Sequence, residues 1–217
     1  MLMASVFVMF SCKENSKSMG EVVTSDASVI LQGFSGEKGI DLESSIIEWE
    51  GSKPLGKHNG TVAFSEGKFV FADGKLTGGT FTIDMNSIVV LDDAGGYKDD
   101  LLAHLKGTAE GKEDHFFDVV KYPTGTVTIN DVVGIEDDAE ADLLVYTTLN
   151  LKGIDNDVVF KAKVDKSDNM LKFTTPTFNI DRTKWGIKYG SKSFFSDLGD
   201  SFINDDIAVK LTIATKI

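Results

Sequence analysis

The chain has 217 residues, of which 41% are hydrophobic and 10% aromatic, with 21 glycines and only 3 prolines. This length and composition fit one folded domain rich in strands and tight turns, and they exclude disordered and collagen-like proteins. The 34 acidic residues outnumber the 22 basic ones, giving a formal net charge of −12. We predict no nucleic acid partner, because phosphate binding requires clustered Lys and Arg.

The chain begins with an uncharged, mostly apolar run, residues 1–11, that ends at the only cysteine, Cys12. A bilayer-spanning helix needs about 20 residues, so we interpret this run as the apolar part of a signal peptide. Val8–Cys12 resembles a bacterial lipobox, although the usual Leu is missing. No Lys or Arg precedes the run, so we expect a start codon further upstream. These features predict lipidation of Cys12, a tether over residues 12–24 and one domain over residues 25–217; the alternative is an ordinary Cys12 thiol.

Beyond the tether, apolar and polar residues alternate with a period of two, which is typical of half-buried strands. The alternation places Phe81, Ile83 and Met85 on one face. It recurs over Val158–Val164 and over Ile207–Ile213, which we predict to be the closing strand. The predicted turns between strands lie at Asn59-Gly60, Glu66-Gly67, Asp73-Gly74, Gly78-Gly79, Gly153, Asp165–Asn169 and Asp181.

Two segments depart from this alternation. Tyr97–Lys106 has Leu101, Leu102 and Leu105 at helical spacing, which predicts a short amphipathic helix. Glu136–Asp142 carries five acidic residues and is predicted to be a solvated hairpin loop. One helix cannot cover a large sheet, so the apolar faces of about eight strands must close on each other. The predicted fold is all-β, an antiparallel barrel or sandwich with one short helix as a lid or plug over an opening.

Several motifs follow one another along roughly residues 45–217. They are Gly79–Ile88, the helical Leu101–Leu105, Phe116–Pro123, Leu149–Ile154 followed by Val158–Phe160, Phe178–Ile187, and Asp205–Val209. Their sequences and their order resemble those of the YceI-like family. The resemblance implies a single extended, lipocalin-like antiparallel β-barrel whose hydrophobic pore takes an isoprenoid or another amphiphilic lipid. It also implies export to the bacterial envelope. This chain departs from the family pattern at Glu48–Gly60 and in a longer loop before Phe116.

The sequence offers no catalytic motif. We find no nucleophile elbow, no metalloprotease helix and no phosphate-binding loop. Ser65–Lys68 fits a Ser-x-x-Lys pattern, but it lies on a predicted turn. The three histidines, His58, His104 and His115, are too far apart in sequence to indicate a metal site by spacing. We therefore predict a protein that is not an enzyme, with no metal and no cofactor other than a bound lipid.

The candidate ligand-binding residues are apolar side chains that face the barrel interior. Core packing and pore lining use the same inward faces, so both roles stay open. Arg182, the only arginine, is a candidate for the lipid head group, with a structural ion pair as the alternative. The predicted pore-lining residues are Phe81, Ile83, Met85, Leu101, Leu105, Phe116, Phe117, Phe178 and Trp185.

Taken together, the sequence predicts a protein that binds, carries or sequesters an isoprenoid or other long-chain lipid inside a barrel pore. The alternative is a non-catalytic structural or interaction lipoprotein with a filled barrel. We expect attachment to the bacterial envelope through the N-terminal lipid anchor. The outer membrane is favoured because Lys13, rather than Asp, follows Cys12. The side of the membrane is left open, as is the choice between a monomer and a homodimer.

Overall fold

The computed structural model describes residues 30–217, so the predicted signal peptide, Cys12 and the predicted tether lie outside the described residues. Within residues 30–217, no helix has the length and apolar character needed to cross a membrane. The strands are β1 (Gly36–Gly39), β2 (Ile46–Lys53), β3 (Gly56–Ala72), β4 (Lys75–Val90), β5 (Thr124–Gly134), β6 (Leu143–Leu151), β7 (Ile154–Lys166), β8 (Met170–Thr174), β9 (Phe178–Asp181) and β10 (Asp206–Lys216). The helix α1 spans Lys98–Lys106, and short 3₁₀ turns lie at Ala94–Gly96, Arg182–Trp185 and Gly199–Ser201.

Eight of these strands form a closed antiparallel barrel. Their order is β3-β2-β10-β8-β7-β6-β5-β4, and β4 pairs back with β3 to complete the ring. β1 pairs with the end of β3, while β9 continues the line of β8 along β10. Closure leaves no long unpaired edge within the ring. The predicted all-β barrel of about eight strands with one short helix is confirmed.

The inward faces predicted from the period-two alternation are confirmed. Phe81, Ile83 and Met85 are buried along β4, and alternate positions of β7 and β10 face the interior in the same way. The predicted helix is also confirmed: Leu105 is buried, while Leu101 and Leu102 pack partly buried against the apolar core. These elements show the expected pattern because their burial repeats with the period of the local backbone.

Three of the predicted turns are wrong. Asn59-Gly60 and Glu66-Gly67 lie inside β3, and Gly78-Gly79 lies inside β4. Ser65–Lys68 is therefore part of a strand and not of a turn. The remaining signals do fall at strand ends or connections: Asp73-Gly74, Gly153, the Asp165–Asn169 region and Asp181.

Three of the mid-strand glycines, Gly60, Gly67 and Gly79, are required by close packing against neighbouring strands. A Cβ on Gly60 would collide with the carbonyl oxygen of Val89, and one on Gly67 would lie 2.7 Å from the ring of Phe81. Glycine in a strand interior often marks such an approach of a neighbour or a bend. Irregular register between β3 and β4 near these positions lets two strands of 17 and 16 residues curve around the barrel.

The acidic segment Glu136–Asp142 connects β5 and β6 as predicted, but its last residue is buried. Asp142 accepts hydrogen bonds from Lys163 Nζ and from the Val164 backbone N–H, each at 2.8 Å. A buried carboxylate needs such partners to offset its lost hydration. The prediction of a fully solvated loop is therefore wrong at Asp142.

The antiparallel path places successive connections at alternate ends of the barrel. One end, which we call the closed end, carries the β3–β4 turn and the start of the described chain, where the Gly74 N–H donates to the Phe34 carbonyl oxygen. The other, which we call the mouth end, carries the β2–β3 hairpin, the 91–123 connection with α1, and the 182–205 connection. The interior near the closed end is filled by aromatic side chains: Phe69 lies 5.0 Å from Phe81 and 4.5 Å from Phe173, measured between ring centroids.

Candidate functional site

The barrel interior toward the mouth end is hollow. It contains a cavity of about 410 Å³, a volume within the usual range for small-molecule sites. Inward side chains of several strands form its walls, including Ile47, Val127, Leu149 and Val158. A void of only about 30 Å³ remains among the aromatic side chains of the closed end. The barrel is thus solid at one end and hollow at the other.

Eight of the nine predicted pore-lining residues line this cavity. They are Ile83, Met85, Leu101, Leu105, Phe116, Phe117, Phe178 and Trp185. Phe81 is the exception, because it packs against Phe64 and Phe69 at ring-centroid distances of 6.1 and 5.0 Å in the closed end. The alternation correctly predicted that Phe81 points into the barrel, but periodicity carries no information on how far along the barrel axis a residue lies. Its assignment to the pore lining is therefore wrong.

Polar side chains border the opening of the cavity, and sequence reasoning missed them. They are Ser52, Lys53, His58, Tyr189, Ser201 and Asn204. Asn204 joins two distant segments: its backbone N–H donates to the Ser52 carbonyl oxygen, and its Nδ2 donates to Ser52 Oγ, each at 2.8 Å. The departure from the family pattern over Glu48–Gly60 was the one sequence signal that pointed to this region.

Arg182 lies at the cavity but is almost completely buried, with 1% of its surface exposed. Its Nε donates to the Asn204 carbonyl oxygen, and its Nη atoms donate to those of Ile187 and Ile203, at 2.9–3.1 Å. Asp205 Oδ1 lies 3.4 Å from Nη2. Burial lowers the pKa of the guanidinium, which the Asp205 charge opposes. These contacts give Arg182 a structural role, mainly through backbone carbonyls, and leave the head-group assignment without support.

Two of the three histidines meet beside the opening, although they are distant in sequence. His104 Nε2 of α1 lies 2.8 Å from His115 Nδ1, and the His115 ring stacks on Tyr189 with 4.3 Å between centroids. Burial, followed by the charges of Lys112 and His115, lowers the pKa of His104. The pair ties α1 to the following loop and to the mouth. Among residues 30–217, no three His, Cys, Asp or Glu side chains are grouped as metal ligands.

The third histidine, His58, pairs with Asp92 at the edge of the opening. His58 Nδ1 lies 2.9 Å from Asp92 Oδ1, and the backbone N–H groups of Asn59 and Ala94 donate to the same carboxylate, each at 2.8 Å. The hydrogen bond with His58, and then those from the two backbone groups, lower the pKa of Asp92 to about 2. Through these hydrogen bonds, the Asp92 carboxylate connects the first residues of β3 to the segment that follows β4.

We expect Asp92→Asn to make the free energy of unfolding depend less on pH in the acidic range. Because the folded pKa is below the ordinary value of 3.8, the ionised carboxylate stabilises the fold above that pH, and the contribution is lost as the pH falls toward 2. The wild type should lose up to about 2 kcal/mol more free energy of unfolding than the variant across this interval, less any solvent screening. Urea unfolding at a series of pH values measures this difference. Glu110→Gln, on an exposed loop, is the control; parallel curves for wild type and Asp92→Asn would contradict the expectation.

Comparisons with known proteins place this barrel among others of the same fold. A model described as YceI-like domain matches residues 39–215. BcnA of Burkholderia cenocepacia superposes with a TM-score of 0.59 at 20% identity, covering 81% of this chain and 99% of that chain. A polyisoprenoid binding domain from Saccharophagus degradans, implicated in plant cell wall breakdown, has a TM-score of 0.58 at 16% identity, covering 84% and 99%. No curated protein gave a significant match. At these low sequence identities, the two similarities show that this chain and the two solved structures share a fold.

Proposed function

The chain belongs to the YceI-like domain family, as the order of its motifs predicted, and on this basis we propose that its barrel binds a long-chain amphiphilic lipid of the isoprenoid type. The observation that carries the proposal is the cavity of about 410 Å³, which is walled mainly by apolar side chains and bordered by polar ones. An apolar tail would fill the interior, and a polar head would lie at the opening. The polyisoprenoid binding domain from Saccharophagus degradans, which has the same fold, supports this ligand class.

The energetics favour retention of an apolar chain without any reaction. Each buried methylene contributes about 0.8 kcal/mol, so a tail of about ten carbons gains about 8 kcal/mol. That gain is of the same order as the cost of immobilising a ligand. Burial of the tail offsets this cost without any catalytic group, so we propose a carrier or sequestering protein in preference to an enzyme.

The polar border of the opening offers donors for the polar part of the ligand. Ser52, Ser201 and Asn204 lie there, and their hydroxyl and amide groups can form hydrogen bonds with a ligand oxygen. The cavity is thus suited to an amphiphile with an oxygen-containing head and less suited to a pure hydrocarbon.

The alternative of a filled barrel describes only one half of this molecule. The closed end is packed by aromatic rings, but the mouth half is hollow. A purely structural barrel would be expected to fill its interior at the density of other protein cores. The cavity therefore favours ligand binding over a structural role.

Native mass spectrometry of the chain without residues 1–12 tests the proposed function. We expect a bound mass corresponding to a co-purified lipid, or uptake of an added polyprenyl alcohol after delipidation. An added sugar of similar mass is the control ligand and should not bind, because the cavity walls offer it few polar partners. Repeated failure to find either a co-purified or an added lipid would contradict the proposal.

For the location, we propose attachment to the bacterial envelope, with the outer membrane favoured, through acyl chains on Cys12. More than one acyl chain gives a stable anchor, whereas a single chain is marginal. We expect Cys12→Ala, expressed from a gene with its upstream start, to lose labelled palmitate and to move to the aqueous phase in detergent partitioning. Ser18→Ala, in the tether, is the matched control. Equal labelling and partitioning of the wild type and Cys12→Ala would show that Cys12 is an ordinary thiol.

A further inference from the structure

The mouth end exposes large apolar side chains next to the cavity opening. Leu55, at the tip of the β2–β3 hairpin, is 87% exposed, and Phe194 and Phe195 are 49% and 50% exposed. Single exposed apolar residues are common on proteins. These three instead lie on the two segments that the Asn204–Ser52 hydrogen bonds join at the opening.

One segment at the same end is basic, although the end as a whole is not, because the 91–123 connection beside it has eight acidic and four basic residues. Residues 182–196 contain Arg182, Lys184, Lys188 and Lys192 and no acidic residue, whereas the whole chain has a net charge of −12. Neither Lys188 nor Lys192 forms an ion pair within the described part of the chain. Their ammonium groups lie over aromatic rings, Lys188 at 4.5 Å from the centroid of Phe194 and Lys192 at 3.7 Å from that of Phe202.

The segment that presents these side chains is held by specific hydrogen bonds. Arg182 binds the carbonyl oxygens of Ile203 and Asn204, and the Ile203 N–H donates to the Gly190 carbonyl oxygen at 2.8 Å. Ser193 Oγ donates to Asp205 Oδ2 at 2.6 Å. A surface fixed in this way loses little conformational entropy when it binds a partner.

We propose that the mouth face docks on the surface of a bilayer that contains anionic phospholipids. We define the mouth face as Lys53, Leu55, Lys188, Lys192, Phe194 and Phe195. Lysines adjacent to exposed aromatic and aliphatic side chains match an interface that presents anionic head groups above an apolar layer. Docking there would direct the cavity opening at the membrane, so that a lipid could pass between the bilayer and the cavity without crossing water. That transfer depends on the proposed function, whereas docking itself does not.

Vesicle co-sedimentation tests the docking. The probe is the full chain carrying Cys12→Ser, so that no acyl anchor forms and the N-terminal segment is the same in every variant. We expect binding to vesicles of phosphatidylcholine with phosphatidylglycerol that weakens with added salt, and little binding to phosphatidylcholine alone. Lys188→Glu with Lys192→Glu should lower the partition coefficient by about tenfold or more. Phe194→Ser with Phe195→Ser should weaken the binding that persists in high salt.

Matched variants separate a docking face from a general charge effect. Lys75→Glu with Lys172→Glu changes the net charge equally at exposed positions toward the closed end, and Tyr146→Ser removes an exposed aromatic side chain from the barrel wall. Both should bind vesicles like the parent chain. Equal binding to the two vesicle types, or an equal loss in the Lys75 and Lys172 variant, would overturn the proposal. Binding to polyglutamate without binding to vesicles would also overturn it and would point to an acidic protein partner.

Lipid uptake measured without vesicles distinguishes this proposal from the proposed function. The Lys188 and Lys192 variant should take up an added polyprenyl alcohol as the parent does, because its substitutions lie outside the cavity walls. If the chain takes up the lipid but does not bind anionic vesicles, the docking proposal is refuted and the proposed function stands. A chain that binds the vesicles but takes up no lipid refutes the cavity function alone.

Discussion

Val158→Trp is expected to abolish lipid uptake while the barrel remains folded. Val158 lies on β7 and lines the cavity, so an indole at this position would occupy space that the ligand tail needs. Excluding about four methylenes of the tail would cost about 3 kcal/mol, which corresponds to a loss of affinity of more than about 100-fold. Native mass spectrometry and a titration with a polyprenyl alcohol measure the loss.

The neighbouring position on the same strand provides the control. Val159 points outward and is 47% exposed, so Val159→Trp adds the same side chain outside the cavity. It should bind lipid like the wild type. Thermal unfolding of both variants checks that neither substitution disrupts the barrel. Unchanged affinity in a folded Val158→Trp variant would show that the ligand does not occupy this cavity.

Arg182→Met should lower the free energy of unfolding by about 3–5 kcal/mol. Methionine has an apolar side chain of similar length but no N–H groups. It therefore cannot donate to the carbonyl oxygens of Ile187, Ile203 and Asn204, as the guanidinium does. These oxygens sit around a fully buried side chain, so the loss leaves acceptors without partners. Urea unfolding followed by tryptophan fluorescence measures the change.

Lys184→Met is the matched control, because Lys184 lies exposed in the same 3₁₀ turn. It should alter stability little, since exposed side chains contribute little to the fold. Arg182→Lys should recover part of the stability by keeping a charged donor. Arg182 would be a head-group ligand after all if Arg182→Met had the free energy of unfolding of the wild type and lost affinity only for lipids with anionic head groups.

The architecture and most of the interior face could be predicted from the sequence alone. Alternation along β4, β7 and β10 predicted which residues point inward, because strand geometry sends successive side chains to opposite faces. The spacing of Leu101 and Leu105 predicted α1 for the equivalent reason in a helix. The motif order identified the family, and with it the expectation of a hollow barrel. These properties are local, or they are carried by the order of motifs, so they can be read from one chain.

The sequence could not predict where along the barrel each inward residue lies or which polar groups come into contact. Phe81 and Met85 share a face, but Phe81 packs in the aromatic end while Met85 lines the cavity. Glycine occupies position 60 of β3 because Val89 and Trp49 leave no space there for a side chain. Arg182 serves the carbonyl oxygens of residues 187, 203 and 204. These outcomes depend on contacts between segments far apart in sequence, and closing the barrel fixes those contacts while the local backbone period leaves them open.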